Sequence, residues 1–221
     1  MKNFTPRRRS RNNFRHILES LETRLTPTTF TVSTLADSGA GSLRAAIASV
    51  NSDTSADEID FSVAGVIQLT SGALPAITNT VKIDGTTAPG FAGAPVVEID
   101  YHGFAGLTLS GSDSTIASLS IVNASGAGLT LDGTLTEAFQ NATGINITVI
   151  GNYIGLALDG SVAANAGVGL QINESGDDII GGTAPVDRNV ISGNGAGGIQ
   201  IALDEGSGIT DFPIPDGATV L

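Results

Sequence analysis

The chain has 221 residues, no cysteine, no tryptophan, only 5% aromatic residues, and 29 glycines. That length allows one domain with at most an appendage, and the lack of cysteine excludes both a disulfide framework and a thiolate metal site. Charge is divided: residues 1–30 hold seven of the ten Lys and Arg for a balance of +5, while residues 31–221 hold three basic against twenty acidic residues, a balance of −17. So acidic a body repels phosphate backbones, which sets nucleic acid aside as a partner.

Residues 1–27 open with the cluster Arg7, Arg8, Arg9 and Arg11, followed by a helix-like run from Phe14 to Leu21 and a stop at Pro27. The run lacks the uninterrupted apolar stretch of a secretory signal, and the sequence has no apolar segment long enough to span a bilayer. On its residues alone this is a basic tail, disordered or helical. Residues 28–221 read as the structured domain.

The first part of that domain, residues 28–51, predicts an edge strand over Thr28–Ser33 and a turn at Ala36–Gly41. Ser42 is placed to cap a helix running from Leu43 to Val50 and closed by Asn51, with Leu43, Ile47 and Val50 on one face. An amphipathic helix here suits the role of a cap over an otherwise open apolar end. Arg44 in the first turn opposes the helix dipole, so it should pair with a carboxylate such as Asp37 or Asp60.

Residues 52–208 predict short strands without intervening helices, beginning with Ile59–Val63, Val66–Leu69, Val81–Ile83 and Val96–Ile99. A phrase then recurs: Gly106-Leu-Thr-Leu109, Gly128-Leu-Thr-Leu131, Gly169-Leu-Gln-Ile172 and Gly198-Ile-Gln-Ile201, with starts 22, 41 and 29 residues apart. Its period of two turns the aliphatic side chains one way and Thr or Gln the other. A second phrase, Thr115–Ile121, lies on Thr148–Ile154 with a shift of 33, and a third version stands at Asn189-Val190-Ile191. Units too small to bury their own apolar faces must stack on copies of themselves. The fold class that follows is all-β: a single-stranded right-handed parallel β-helix, with the aliphatics at 129, 131, 170, 172, 199 and 201 in one dry column. Unequal spacing places loops at 132–144 and 155–166. Residues 209–221 carry no evident cap, which reads as an incomplete or open end, or as a chain that continues.

Candidate functional residues are few. Asn152 with Asn189, and Asn165 with Asn194, recur at matched positions and predict a structural ladder at tight bends. Asp177, Asp178 and Asp187 beside Arg188 form the one inventory that suits acid–base cleavage of a glycan. The three aspartates alone would suit a weak Ca²⁺ site. No phosphate-binding loop, nucleophile elbow or metal-binding His pair occurs, and no other cofactor is indicated.

Two stretches resemble known groups. The arginine-rich start followed by Leu21-Glu-Thr-Arg-Leu-Thr-Pro27 is similar to the "LEPR"-type segment of exported planctomycete proteins, with Thr23 where proline is common. Gly41-Ser-Leu-Arg-Ala-Ala-Ile47 through Asn51 resembles the "CSLREA" segment that opens bacterial surface-exposed parallel β-helix proteins, with Gly41 and Ala45 replacing the cysteine and glutamate. Ile83–Phe91, Asn152–Gly155 and Arg188–Asn194 are similar to the same group. The resemblance implies an extracellular or cell-surface location and says little of activity. The leading expectation is a non-enzymatic secreted or surface module for adhesion or polysaccharide contact. The rival is a polysaccharide lyase or glycoside hydrolase, and a third reading is an inactive segment of a larger exported protein.

Overall fold

The structure is a computed structural model, and it describes residues 27–52, 55–133, 146–202 and 219–220. The tail 1–26, most of the loop 132–144, and residues 203–218 and 221 of the C-terminal end lie outside the described residues, so the expectations placed on them are not addressed.

The chain begins with β1 (Thr29–Val32), α1 (Leu43–Ser52), β2 (Asp57–Phe61) and β3 (Gly65–Gln68). Three-strand circuits follow: β4 (Val81–Asp84), β5 (Val97–Asp100) and β6 (Leu107–Leu109), then β7 (Thr115–Ala117), β8 (Ser120–Val122) and β9 (Leu129–Asp132). The next circuits are β10 (Thr148–Ile150), β11 (Tyr153–Ile154) and β12 (Val168–Asn173), and β13 (Ile179–Ile180), β14 (Val190–Ile191) and β15 (Gly197–Ala202). The last described strand is β16 (Thr219–Val220). Each circuit gives one strand to each of three sheets, which we call A, B and C. Sheet A runs β1-β2-β4-β7-β10-β13-β16, sheet B β3-β5-β8-β11-β14, and sheet C β6-β9-β12-β15. Every pairing between these strands is parallel. The fold is therefore mostly strand, in parallel sheets, and among the described residues no helix is long and apolar enough to cross a membrane.

The repeated phrases set the register. Thr115 pairs with Thr148 and Ser120 with Tyr153, both at the shift of 33, while Leu107, Leu129, Leu170 and Ile199 stand opposite one another in sheet C. One-residue slips would turn every aliphatic outward, so the inward set enforces this pairing. Leu107, Leu109, Leu129, Leu131, Leu170 and Ile172 are all at most 1% exposed. The column does not stay dry to its last member. Ile199 is only partly buried and Ile201 is 57% exposed, because β15 is the final strand of sheet C among the described residues and Ile201 has a paired neighbour on one side only.

Helix α1 packs against β1 and β2 at one end of sheet A. Its buried residues, Leu43, Ala46, Ile47 and Val50, join a cluster with Val32, Ile59 and Phe61. Ser42 accepts a hydrogen bond from the Ala45 amide, as an N-cap should, and Asn51 ties the helix to the next circuit by accepting from the Thr78 amide and donating to the Ala76 carbonyl. The helix runs one residue past Asn51.

Candidate functional site

The chain bends between successive sheets, and at each bend a buried backbone N–H is left for a side chain to satisfy. An amide left unpaired there costs about 1–3 kcal/mol. At the corner between sheets A and B, Asn152 Oδ1 accepts from the Leu119 amide one circuit earlier, and Asn189 Oδ1 accepts from the Asn152 amide. Asn152 Nδ2 also donates to the Ile116 and Ile150 carbonyls. At the corner between B and C, Asn165 Oδ1 accepts from the Ala124 amide, and Asn194 Oδ1 accepts from Asn165 Nδ2. Both Asn152 and Asn165 are fully buried. Two of the glycines that open the repeated phrases make room for this: a Cβ on Gly128 would lie 2.5 Å from Asn165 Nδ2, and one on Gly169 would lie 2.7 Å from Asn194 Nδ2.

Asp178 belongs to the same system at the third corner, between sheets C and A. Its Oδ1 accepts from the Ile147 amide at 2.8 Å. Ser114 serves the Val81 amide, and Asp57 the Thr28 amide, in the equivalent way. Sequence reasoning missed this corner because its acceptors differ in type, although the geometry asks only for an oxygen. Asp178 is 1% exposed, and its second oxygen accepts from Ser175 Oγ. Burial pushes its pKa up, against the hydrogen bonds from Ser175 and Ile147, and the Asp177 charge adds to the rise. A raised carboxyl pKa means that the ionised form weakens the fold at neutral pH and that protonation relieves it. The variant Asp178→Asn, which keeps the acceptor without the charge, is therefore expected to leave stability at pH 7 unchanged or raise it by about 1 kcal/mol in urea unfolding. A loss of more than about 2 kcal/mol would contradict this role.

The four residues Asp177, Asp178, Asp187 and Arg188 do not assemble into a catalytic group. Asp178 points its carboxylate into the corner, and Asp177 takes a left-handed backbone (φ 58°) just before it. Asp187 ends a short 3-10 turn, Pro185–Asp187, and its side chain packs over Gly182. Arg188 is exposed and absent from the ion pairs among the described residues, which are Arg44–Asp37, Lys82–Glu58 and Lys82–Asp84. No three His, Asp or Glu side chains converge as metal ligands among the described residues, so Asp177, Asp178 and Asp187 do not form a Ca²⁺ cage.

Arg44 pairs with Asp37 at 2.6 Å and donates to the Gly72 carbonyl. Asp37 also accepts from the amides and hydroxyls of Thr70 and Ser71. It thereby locks the cap helix to the 70–73 segment.

The outward faces carry what remains for recognition. On sheet B, Glu98 and Asp100 lie on one face of β5 yet are 7% and 8% exposed. The 155–163 loop folds back over this sheet through an antiparallel bridge between Leu156 and Val162. The Leu158 amide donates to Glu98 at 3.0 Å, and Ser120 Oγ donates to the Leu156 carbonyl. Asp100 accepts from Gln68, Asn123 and the His102 amide. Burial alone would raise its pKa, but these donors prevail and hold it below the ordinary carboxylate range. Both carboxylates thus fasten the sheet B surface rather than open onto it.

Sheet C is different. Thr108, Thr130, Gln171 and Gln200 stand opposite one another on four successive strands and face outward. A second row, Asp132 and Asn173, runs beside them. Gln171 Nε2 donates to Asn173 Oδ1 at 2.8 Å. Among the described residues Thr108, Thr130 and Gln200 make no side-chain hydrogen bond. No loop described in the structure bonds to this row. No family profile and no curated protein matches the chain.

Proposed function

We propose that this protein is a non-enzymatic, secreted or cell-surface module that contacts polysaccharide, built as a single right-handed parallel β-helix. The rotation of the chain through sheets A, B and C in fixed order supports one continuous winding, and parallel crossovers favour the right hand. The "CSLREA"-like segment at Gly41–Asn51 and the arginine-rich start support the exported, planctomycete-type assignment. The observation that carries the binding function is the row Thr108, Thr130, Gln171 and Gln200: in register, outward-facing, and without side-chain hydrogen bonds at Thr108, Thr130 and Gln200 among the described residues. Sugars offer hydroxyls that donate to and accept from such groups.

The experiment is retention of the purified protein on a panel of immobilised polysaccharides, with product analysis on the same samples. Retention by at least one polymer, weakened in the Gln171→Ala variant and accompanied by no new reducing or unsaturated ends, is expected. New chain ends that disappear in Arg188→Ala would overturn the non-enzymatic reading in favour of a lyase or hydrolase. Failure to bind any polymer would remove the polysaccharide.

A further inference from the structure

The structure assigns this face, on the reading that it contacts polysaccharide, to one substrate class: a neutral, extended glycan lying along the row from Thr108 to Gln200, across the strands. Two features carry the assignment. The first is geometry. Adjacent strands are about 4.8 Å apart, so four aligned residues offer a polar line about 14 Å long. A linear polymer meets such a line with successive hydroxyls, whereas a compact ligand engages one or two of its members.

The second is charge. Every group in the main row is neutral, and the only ionisable side chain among the residues of the two rows is Asp132, which is exposed. The described residues as a whole hold fourteen acidic against three basic side chains, a balance of −11. Two like charges about 4 Å apart in water repel by about 1 kcal/mol, and a uronate or sulfate polymer brings one such charge with each unit. No Lys or Arg lies on the described strands of sheet C to receive those charges. Arg44 and Lys82 are held in ion pairs elsewhere, and Arg188 stands just before β14 of sheet B. An uncharged polymer escapes the repulsion and keeps the hydrogen bonds.

The test measures binding of the full chain to two matched series of soluble oligosaccharides of increasing length, one neutral and one uronate, at low and at high salt. Affinity for neutral oligomers is expected to rise with length until the row is covered and then level off, with little dependence on salt. Uronate oligomers should bind at least tenfold more weakly at low salt and recover part of the difference at high salt. Gln171→Ala should weaken neutral binding about threefold to tenfold, the loss of one or two uncharged hydrogen bonds. Asp132→Asn, an exposed change that leaves the core untouched, should narrow the gap between uronate and neutral binding at low salt. If uronates bind as tightly as neutral oligomers at low salt, the class assignment is wrong while polysaccharide contact stands. If neither series binds, the underlying polysaccharide reading fails as well.

Discussion

Replacing Asn152 by alanine is expected to lower the unfolding free energy by about 3–5 kcal/mol. The side chain is fully buried and accepts from the Leu119 amide at 2.9 Å while donating to the Ile116 and Ile150 carbonyls, each at 2.9 Å. Alanine leaves the buried Leu119 amide without its acceptor, at a cost of about 1–3 kcal/mol, and takes a donor from the Ile116 and Ile150 carbonyls, of which Ile150 keeps the Ser118 amide. A small cavity adds to the loss. Against a typical total of about 5–15 kcal/mol, the variant retains little margin. Asn152→Asp should do no better, since a carboxylate accepts from Leu119 but cannot donate to the carbonyls. Asp178 contrasts with this: its side chain accepts from Ile147 and Ser175, so amide and carboxyl can exchange there. Urea unfolding of the three variants measures the difference, and a loss below about 1 kcal/mol for Asn152→Ala would show that the corners are held by something else.

The second large effect is expected at Asp37. Its carboxylate gathers Arg44 and the amides and hydroxyls of Thr70 and Ser71, and Asp37→Ala removes the anionic partner of a guanidinium whose side chain is only 20% exposed, leaving it the Gly72 and Ala73 carbonyls. A loss of about 3 kcal/mol follows, within the usual range for breaking one side of a buried pair. The pH dependence has a definite sign. Burial alone would raise the pKa of Asp37, but the hydrogen bonds from Ser71, Arg44 and Thr70 outweigh it and hold the group well below its ordinary value of 3.8. The unfolded chain then binds the proton more tightly than the folded one. The stabilisation is complete above about pH 4 and fades as pH falls below the unfolded pKa towards the lower folded one. Unfolding measured between pH 2 and pH 6 should show a steep acid loss in the natural protein and a shallower one in Asp37→Asn.

Much of the architecture was legible because the sequence repeats itself. Gly-Leu-Thr-Leu at 128–131 and Gly-Leu-Gln-Ile at 169–172 differ in spacing from the other copies, yet their alternation alone fixed which side chains face inward and which strands pair. The asparagines were readable for a related reason: a corner that needs both a donor and an acceptor tolerates few side chains, so Asn recurs at matched distances. Asp178 was read as a candidate acid, and its place at a corner was not seen. A corner that needs only an acceptor accepts Asp, Ser or Asn, and no single letter marks it. The fastening of sheet B was not legible either. Gln68, Asp100 and Asn123 meet through stacking, and the 155–163 loop reaches Glu98 by folding back sixty residues later in the chain. Nor did alternation reveal that Ile201 would be exposed, since that depends on what is paired beyond β15 rather than on the strand itself.

The most direct test of the account uses the absence of natural cysteine. Cysteine pairs at Thr130 with Gln171, and at Thr130 with Gln200, are treated with a short bifunctional thiol reagent in the folded protein. Stacking in register puts the first pair on neighbouring strands, about 5 Å apart, and the second pair two strands apart, about 10 Å. Efficient cross-linking of 130 to 171 with little of 130 to 200 is the predicted result. The reverse pattern, or equal cross-linking of both pairs, would contradict the register that aligns the outward row and builds the core behind it.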